Sequence, residues 1–279
     1  MTEGNKQLAR RELGRIISGA YYDYQNVRLS SMNRVRDVVR KKKEGIPFDQ
    51  KEDKKEDKSF SKDFNDKKLP KILDTMLEEG VITKDEYVYI KETMDLINKS
   101  SKLEQEYKTY MLKYIGSEKI WTEFLSKIKG IGPVLGANLI KNFGYCERFE
   151  MVSSVWKYCG LHVIDGVAAK RKKGEKLDYN PKMKTLAWKI GDSFIKMNTP
   201  IYRDIYDRAK ERELNRKDDN KPKNKMHAHL RAMRKTVKLF LSHYWACSRT
   251  LAGLDTREEY VFAKLGHKNK IKWEDVIHD

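Results

Sequence analysis

The chain has 279 residues, 39% of them apolar, enough for a folded core of ordinary size, and carries 59 Lys and Arg against 41 Asp and Glu, a formal charge of +18. That surplus exceeds what solubility needs and draws a polyanion by counterion release, so nucleic acid is the first expected partner. No run of about 18 apolar residues, signal peptide or lipidation signal is visible, and three cysteines with no CxxC pair signal neither a disulfide framework nor a zinc ribbon.

From Lys6 to Lys41 apolar residues recur at three- and four-residue steps (Leu13, Ile16, Ala20, Tyr24, Val27), predicting a basic helical arm over 1–41. Residues 42–68 alternate Lys with Asp and Glu around a few apolar side chains and read as a charged linker. Pro70 opens a short helix that ends at Gly80, and Thr83 to Glu86 is a capping box ahead of a long helical stripe through Tyr87, Ile90, Met94 and Ile97. Residues 69–116 are therefore expected to form a helical hairpin or coiled coil, intramolecular or the seam of a homodimer.

Residues 117–254 carry the expected binding domain, with 255–279 a basic C-terminal tail. Ile128-Lys129-Gly130-Ile131-Gly132-Pro133 lies between two helix-forming stretches, 117–127 and 134–143, and has the hxGhG pattern of a helix-hairpin-helix. Two glycines let the turn reach positive φ and bring bare backbone amides within reach of a phosphate. Pro133 suits the first position of the second helix, whose amino terminus favours an anion. Ile128 and Ile131 are expected to point inward, Gly136 and Ala137 to let the helices approach, and Lys127, Lys129 and Lys141 to reinforce the positive field. The candidate nucleic-acid contacts are Lys127, Lys129, Gly130, Ile131, Gly132 and Lys141, together with the basic run Lys170, Arg171, Lys172 and Lys173 at the expected tip of a loop or short β-hairpin near 163–178. Such contacts position a backbone without reading sequence.

Asn180 before Pro181 and Thr199 before Pro200 each place a capping side chain ahead of a proline, predicting helices from Pro181 to Met197 and from Pro200 to Arg216. A last long helix is expected from Met226 to Leu251. The fold class expected is all-α.

These motifs together resemble the carboxy-terminal domain of the bridge-RNA-guided insertion-sequence transposases of the IS-one-ten/IS-one-sixteen group. The similarity rests on IKGIGPVLGANLI at 128–140, Gly144, Arg148-Phe149, Val155-Trp156, Gly160-Leu161 and TPIYRDIYDRAK at 199–210, with the long preceding helix similar to the family's coiled coil. It implies DNA strand exchange by four acidic ligands in a RuvC-like domain and by a serine of a Ser-Gly pair. Residues 1–80 read as too short for a RuvC-like sheet, and Asp165-Gly166 stands where the Ser-Gly pair is expected, so no catalytic residue, metal site or cofactor is assigned. Ser153 and Ser154 read as helix-start residues. The expectation is a DNA-binding protein, on duplex or branched DNA, in the cytoplasm and associated with the nucleoid, with no membrane partner. The alternatives are a transposase acting with a partner or an unrecognised site, and a structured-RNA-binding protein.

Overall fold

The computed structural model describes residues 3–47, 68–164, 166–171, 173–256 and 271–277. The expected linker thus falls mostly outside the described residues, as do Asp165, Lys172 and 257–270 of the expected tail. Helices dominate: α1 (Glu3–Glu44), α2 (Leu69–Glu78), α3 (Lys84–Ile115), α4 (Lys119–Glu123), α5 (Pro133–Phe143), α6 (Val152–Tyr158), α7 (Pro181–Lys196), α8 (Tyr202–Leu214) and α9 (Lys225–Leu251). Among the described residues the only sheet is an antiparallel hairpin of β1 (Val163–Ile164) and β2 (Val167–Ala168), with Val163 opposite Ala168. The expected all-α fold with one short β-hairpin is therefore observed.

The chain divides into two compact units, Ile16–Thr109 and Met1–Arg15 with Tyr110–Asp279. In the first, Met32, Val35 and Val39 of α1 pack with Leu69, Leu73 and Met76 of α2 and with Ile82, Ile90 and Ile97, so the stripe seen in the sequence closes on three helices rather than two. The capping box forms as expected: the Glu86 N–H donates to Thr83 Oγ1 at 3.2 Å, and the Thr83 N–H donates to Glu86 Oε2 at 2.9 Å. Arg28 of α1 donates to the nearly buried Glu104 of α3 at 2.7 Å, and Gln25 donates to the same carboxylate at 2.8 Å. Tyr24 meets Tyr107, and Lys42 pairs with Glu86 at 2.6 Å, so α1 and α3 run antiparallel in this unit.

The second unit is built around α9, which buries a broad face including Met233, Val237, Phe240, Tyr244 and Cys247 against α6, α7, α8 and α4. Phe194, Tyr202 and Phe240 cluster at its centre, the first two stacked 4.6 Å apart and nearly parallel and both meeting Phe240 edge-on. The far end of α9 clamps an irregular loop: Tyr244 Oη donates to the Gly144 carbonyl, Trp245 Nε1 to that of Phe149 at 2.7 Å, and Arg249 to those of Cys146 and Phe149. These side chains give the loop's backbone carbonyls partners; that of Cys146 also accepts from the Phe149 N–H at 2.9 Å. Gly191 belongs to the same packing, since a Cβ there would lie 2.5 Å from Met233. The cysteines Cys146, Cys159 and Cys247 are free and buried, and burial pushes each thiol up to about 12.

His243 sits in this core with Nδ1 2.8 Å from the Tyr202 hydroxyl and Nε2 2.9 Å from the Ile271 carbonyl. The carbonyl can only accept, so a neutral ring protonated at Nε2 and accepting from Tyr202 at Nδ1 satisfies both contacts. Burial lowers its pKa to about 4, opposed by the Ile271 hydrogen bond and by Asp275. Its contribution to stability is therefore complete above about pH 6.5 and is lost as the pH falls toward 4, of order 3 kcal/mol. Chemical denaturation between pH 7 and 4 should show this loss in the native protein, and His243→Gln should flatten the profile across that window.

Candidate nucleic-acid interface

The turn at 128–133 joins two helical arms, the first of which is shorter than its sequence suggests. The helix expected over 117–127 is α4 followed by a single 3₁₀ turn, Leu125–Lys127, broken at Phe124 (φ −133°, ψ −67°). Phe124 and Leu125 are both fully buried at this break. The second arm is α5, opening on Pro133 as expected. Ile128 and Ile131 are buried, and the Ile131 N–H donates to the Ile128 carbonyl at 3.0 Å, closing the turn. Gly136 lies so close to the first arm that a Cβ would meet the Trp121 ring at 2.6 Å.

The two glycines do different jobs. Gly130 has φ +92°, and a Cβ there would meet Ser193 Oγ at 3.0 Å and Thr199 Oγ1 at 3.3 Å, so both backbone conformation and space require glycine. Gly132 has φ −87° and ψ 179°, extended backbone open to any residue, and a Cβ there would meet nothing within 4 Å. The turn reaches positive φ at the first glycine alone.

Two hydroxyls hold this turn, one of them the Thr199 that the sequence marks only as a cap. Ser193 Oγ of α7 donates to the Gly130 carbonyl at 2.7 Å, and Thr199 Oγ1 donates to the Lys129 carbonyl at 2.8 Å. Thr199 is therefore not the cap expected of it. The chain instead passes through Asn198 (φ 50°) and a tight turn at Ile201 (φ 61°, ψ −54°), where the Tyr202 N–H reaches back to the Pro200 carbonyl at 2.6 Å, and α8 starts at Tyr202 rather than Pro200. Positive φ at a β-branched residue is strained, and it persists here where the segment buttresses the hairpin. Asn180 does cap its helix, accepting from Lys182 N and Met183 N.

With its carbonyls engaged, the turn presents its other edge. The cap residue of α5 is Gly132, which brings no side chain to its donors, and the first intrahelical bond is that of Gly136 N–H to the Gly132 carbonyl at 2.9 Å. The N–H groups of Val134 and Leu135 lie before it, at the positive end of the helix. Gly132 and Lys129 are exposed, whereas Gly130 is half-buried and Ile131 buried. Lys127 is exposed and 3.5 Å from Glu123. A small cleft beside the turn is lined by Lys127, Ile128, Lys129, Thr199, Pro200 and Val276, the last from a 3₁₀ turn near the C-terminus.

The remaining expected contacts lie elsewhere. Lys141 is in the last turn of α5, roughly 10 Å along the helix from its start, half-buried, and donates to Asn138 Oδ1 at 3.0 Å. Burial, with Lys182 and Arg15 nearby, pushes its ammonium down to about 8. Lys170, Arg171 and Lys173 are exposed but follow β2 instead of occupying the tip of the β-hairpin, and Lys172 lies outside the described residues. Ser153 and Ser154 are in the first turn of α6, whose cap is Met151. Tyr202 and Tyr206 are buried, and His229 Nδ1 lies 2.7 Å from the Tyr206 hydroxyl. Among the described residues no group of three or more His, Cys, Asp or Glu is placed to hold a metal ion, and no helix is long and apolar enough to cross a membrane.

Residues 122–207 match the family model of the Transposase IS116/IS110/IS902 family, a segment that contains the turn, its second arm and both hydroxyl buttresses. The match agrees with the resemblance to the carboxy-terminal domain of these transposases. No curated protein and no solved structure matches the chain.

Gly130→Ala should destabilise the protein by about 1–3 kcal/mol, because it adds both positive-φ strain and a clash, whereas Gly132→Ala should change stability by less than about 0.5 kcal/mol. Thermal or urea unfolding of the two variants side by side measures the difference.

Proposed function

We propose that the chain is a DNA-binding protein of the transposase type, which holds the sugar-phosphate backbone at the hairpin through the outward amides that follow Gly132, with Lys129 and Lys127 supplying attraction. The single observation that carries this is Gly132. It is a glycine that neither backbone conformation nor packing demands, at the amino end of a helix, in a chain of charge +18. The space a side chain would fill is the space a phosphate oxygen needs to reach those amides. The match of 122–207 to a transposase family supports DNA transposition as the setting.

Asp165 supports binding in place of strand cleavage. It occupies the position where the resembled family has its serine, and a carboxylate at that point cannot form the serine–DNA link. The basic run from Lys170 to Lys173 belongs to the same reading as a second backbone contact.

Fluorescence anisotropy with a labelled duplex, at a series of stated salt concentrations, tests the proposal. Gly132→Val should lower affinity about tenfold or more for unrelated sequences alike, with the melting temperature unchanged, as expected of a backbone contact. Equal affinity of variant and native protein would remove the hairpin from the account. Magnesium-dependent nicking of the same duplex, abolished by one carboxylate substitution, would replace binding by catalysis.

A further inference from the structure

A denser positive surface lies away from the hairpin and outside the segment that matches the transposase family. Arg231, Arg234, Lys235 and Lys238 follow one another at steps of three, one and three residues along α9, which sets them on one side of the helix over about 10 Å. Arg208 and Arg212 stand one turn apart on α8, packed beside α9, and line an open depression with Glu211, Asn215 and Arg216. All six cations lie beyond residue 207, where the family match ends.

Few acids answer them. Glu213 is buried and already serves Arg231 at 2.9 Å and Arg216 at 3.6 Å, and Asp218 is taken by Arg216 at 2.7 Å. Glu211 is the remaining acid at the depression. Among the described residues no carboxylate forms an ion pair with Arg208, Arg212, Arg234, Lys235 or Lys238; Lys238 lies instead 4.7 Å over the Trp156 ring, whose Nε1 donates to the Lys238 carbonyl. The cations bear on one another: burial and then Arg231 lower the pKa of Arg234, burial and then Arg234 lower that of Lys238, and burial, Arg212 and Arg208 lower that of Lys235 against the opposing pull of Glu213. A fold gains nothing from pressing half-buried like charges together, so an anion outside the chain is the natural counterpart.

We propose that this face of α8 and α9 is a further nucleic-acid contact, independent of the hairpin and of the run at 170–173, that takes the phosphodiester backbone of a duplex. The guanidinium forks of Arg208, Arg212 and Arg234 match phosphate oxygens in pairs, and a row about 10 Å long suits successive phosphates better than one isolated anion. Arg212 lies ten residues along α8 from the start of the helix beside the hairpin buttress, roughly 15 Å away, so the two contacts engage different nucleotides.

Arg208, Arg212 and Lys235 are exposed, and their combined replacement by alanine tests the surface without opening the core. Binding is measured against salt with a 20-base-pair DNA duplex and an RNA duplex of equal length. The triple variant should lose about tenfold or more in affinity, and its slope of log K against log salt should fall by about 2 to 3 on DNA, or less steeply on RNA, with the melting temperature unchanged or raised. Glu211→Lys should steepen the slope. A loss confined to DNA, or confined to RNA, names the duplex this face takes. Unchanged affinity and slope on both duplexes overturn the proposal and assign the patch to some other anion, such as an acidic protein. Gly132→Val in parallel separates the two contacts: if it binds as the native protein does while the triple variant fails, the hairpin reading falls and this one stands.

Discussion

Two hydroxyl-to-carbonyl hydrogen bonds, Ser193 to Gly130 and Thr199 to Lys129, decide which edge of the glycine turn meets solvent. In a trans peptide the N–H points opposite to the C=O of the same plane, so the plane that gives the Lys129 carbonyl to Thr199 turns the Gly130 N–H the other way, while the N–H of the next plane, that of Ile131, closes the turn on Ile128. Beyond it lie the exposed Gly132 and the amino end of α5, which has no side-chain cap. The strained passage through Asn198 and Ile201 is the local cost of bringing Thr199 to the turn.

That buttress is itself anchored by α9. Phe194, one residue beyond Ser193, stacks on Tyr202, and both rings pack on Phe240 at the middle of the long helix. Tyr202 is also tied to His243, and His243 to Ile271, which fixes the segment near the C-terminus beside the first arm of the hairpin. A buried aromatic cluster of this kind tolerates little displacement, so the hydroxyls are held to their carbonyls with little freedom. The protein thus converts apolar packing in its second unit into a defined polar edge on its surface.

Charge is distributed along the same framework. The hairpin carries few lysines and relies on helix geometry, whereas the outer halves of α8 and α9 concentrate arginine and lysine with few answering acids. Backbone amides offer directional contacts at one point; a field of cations offers reach and salt-dependent attraction over several phosphates. A chain with both would be oriented by the first and retained by the second.

Local chemistry determined much of this from sequence alone. The capping box at Thr83 and Glu86, the Asn180 cap, Pro133 at the start of α5, the inward isoleucines and the all-helical class each depend on residues within a turn of one another, where spacing is sufficient evidence. Tertiary structure alone decided the rest. Thr199 looked like a cap because a hydroxyl before proline usually accepts from its own helix, yet a carbonyl 70 residues away claims it as a donor. Gly130 and Gly132 looked alike until their surroundings separated them, and Lys141 left the turn because one helix carries it two turns onward. The cation field on α8 and α9 was invisible for the same reason: it unites side chains up to 30 residues apart in sequence, and only packing brings such charges within range of one another.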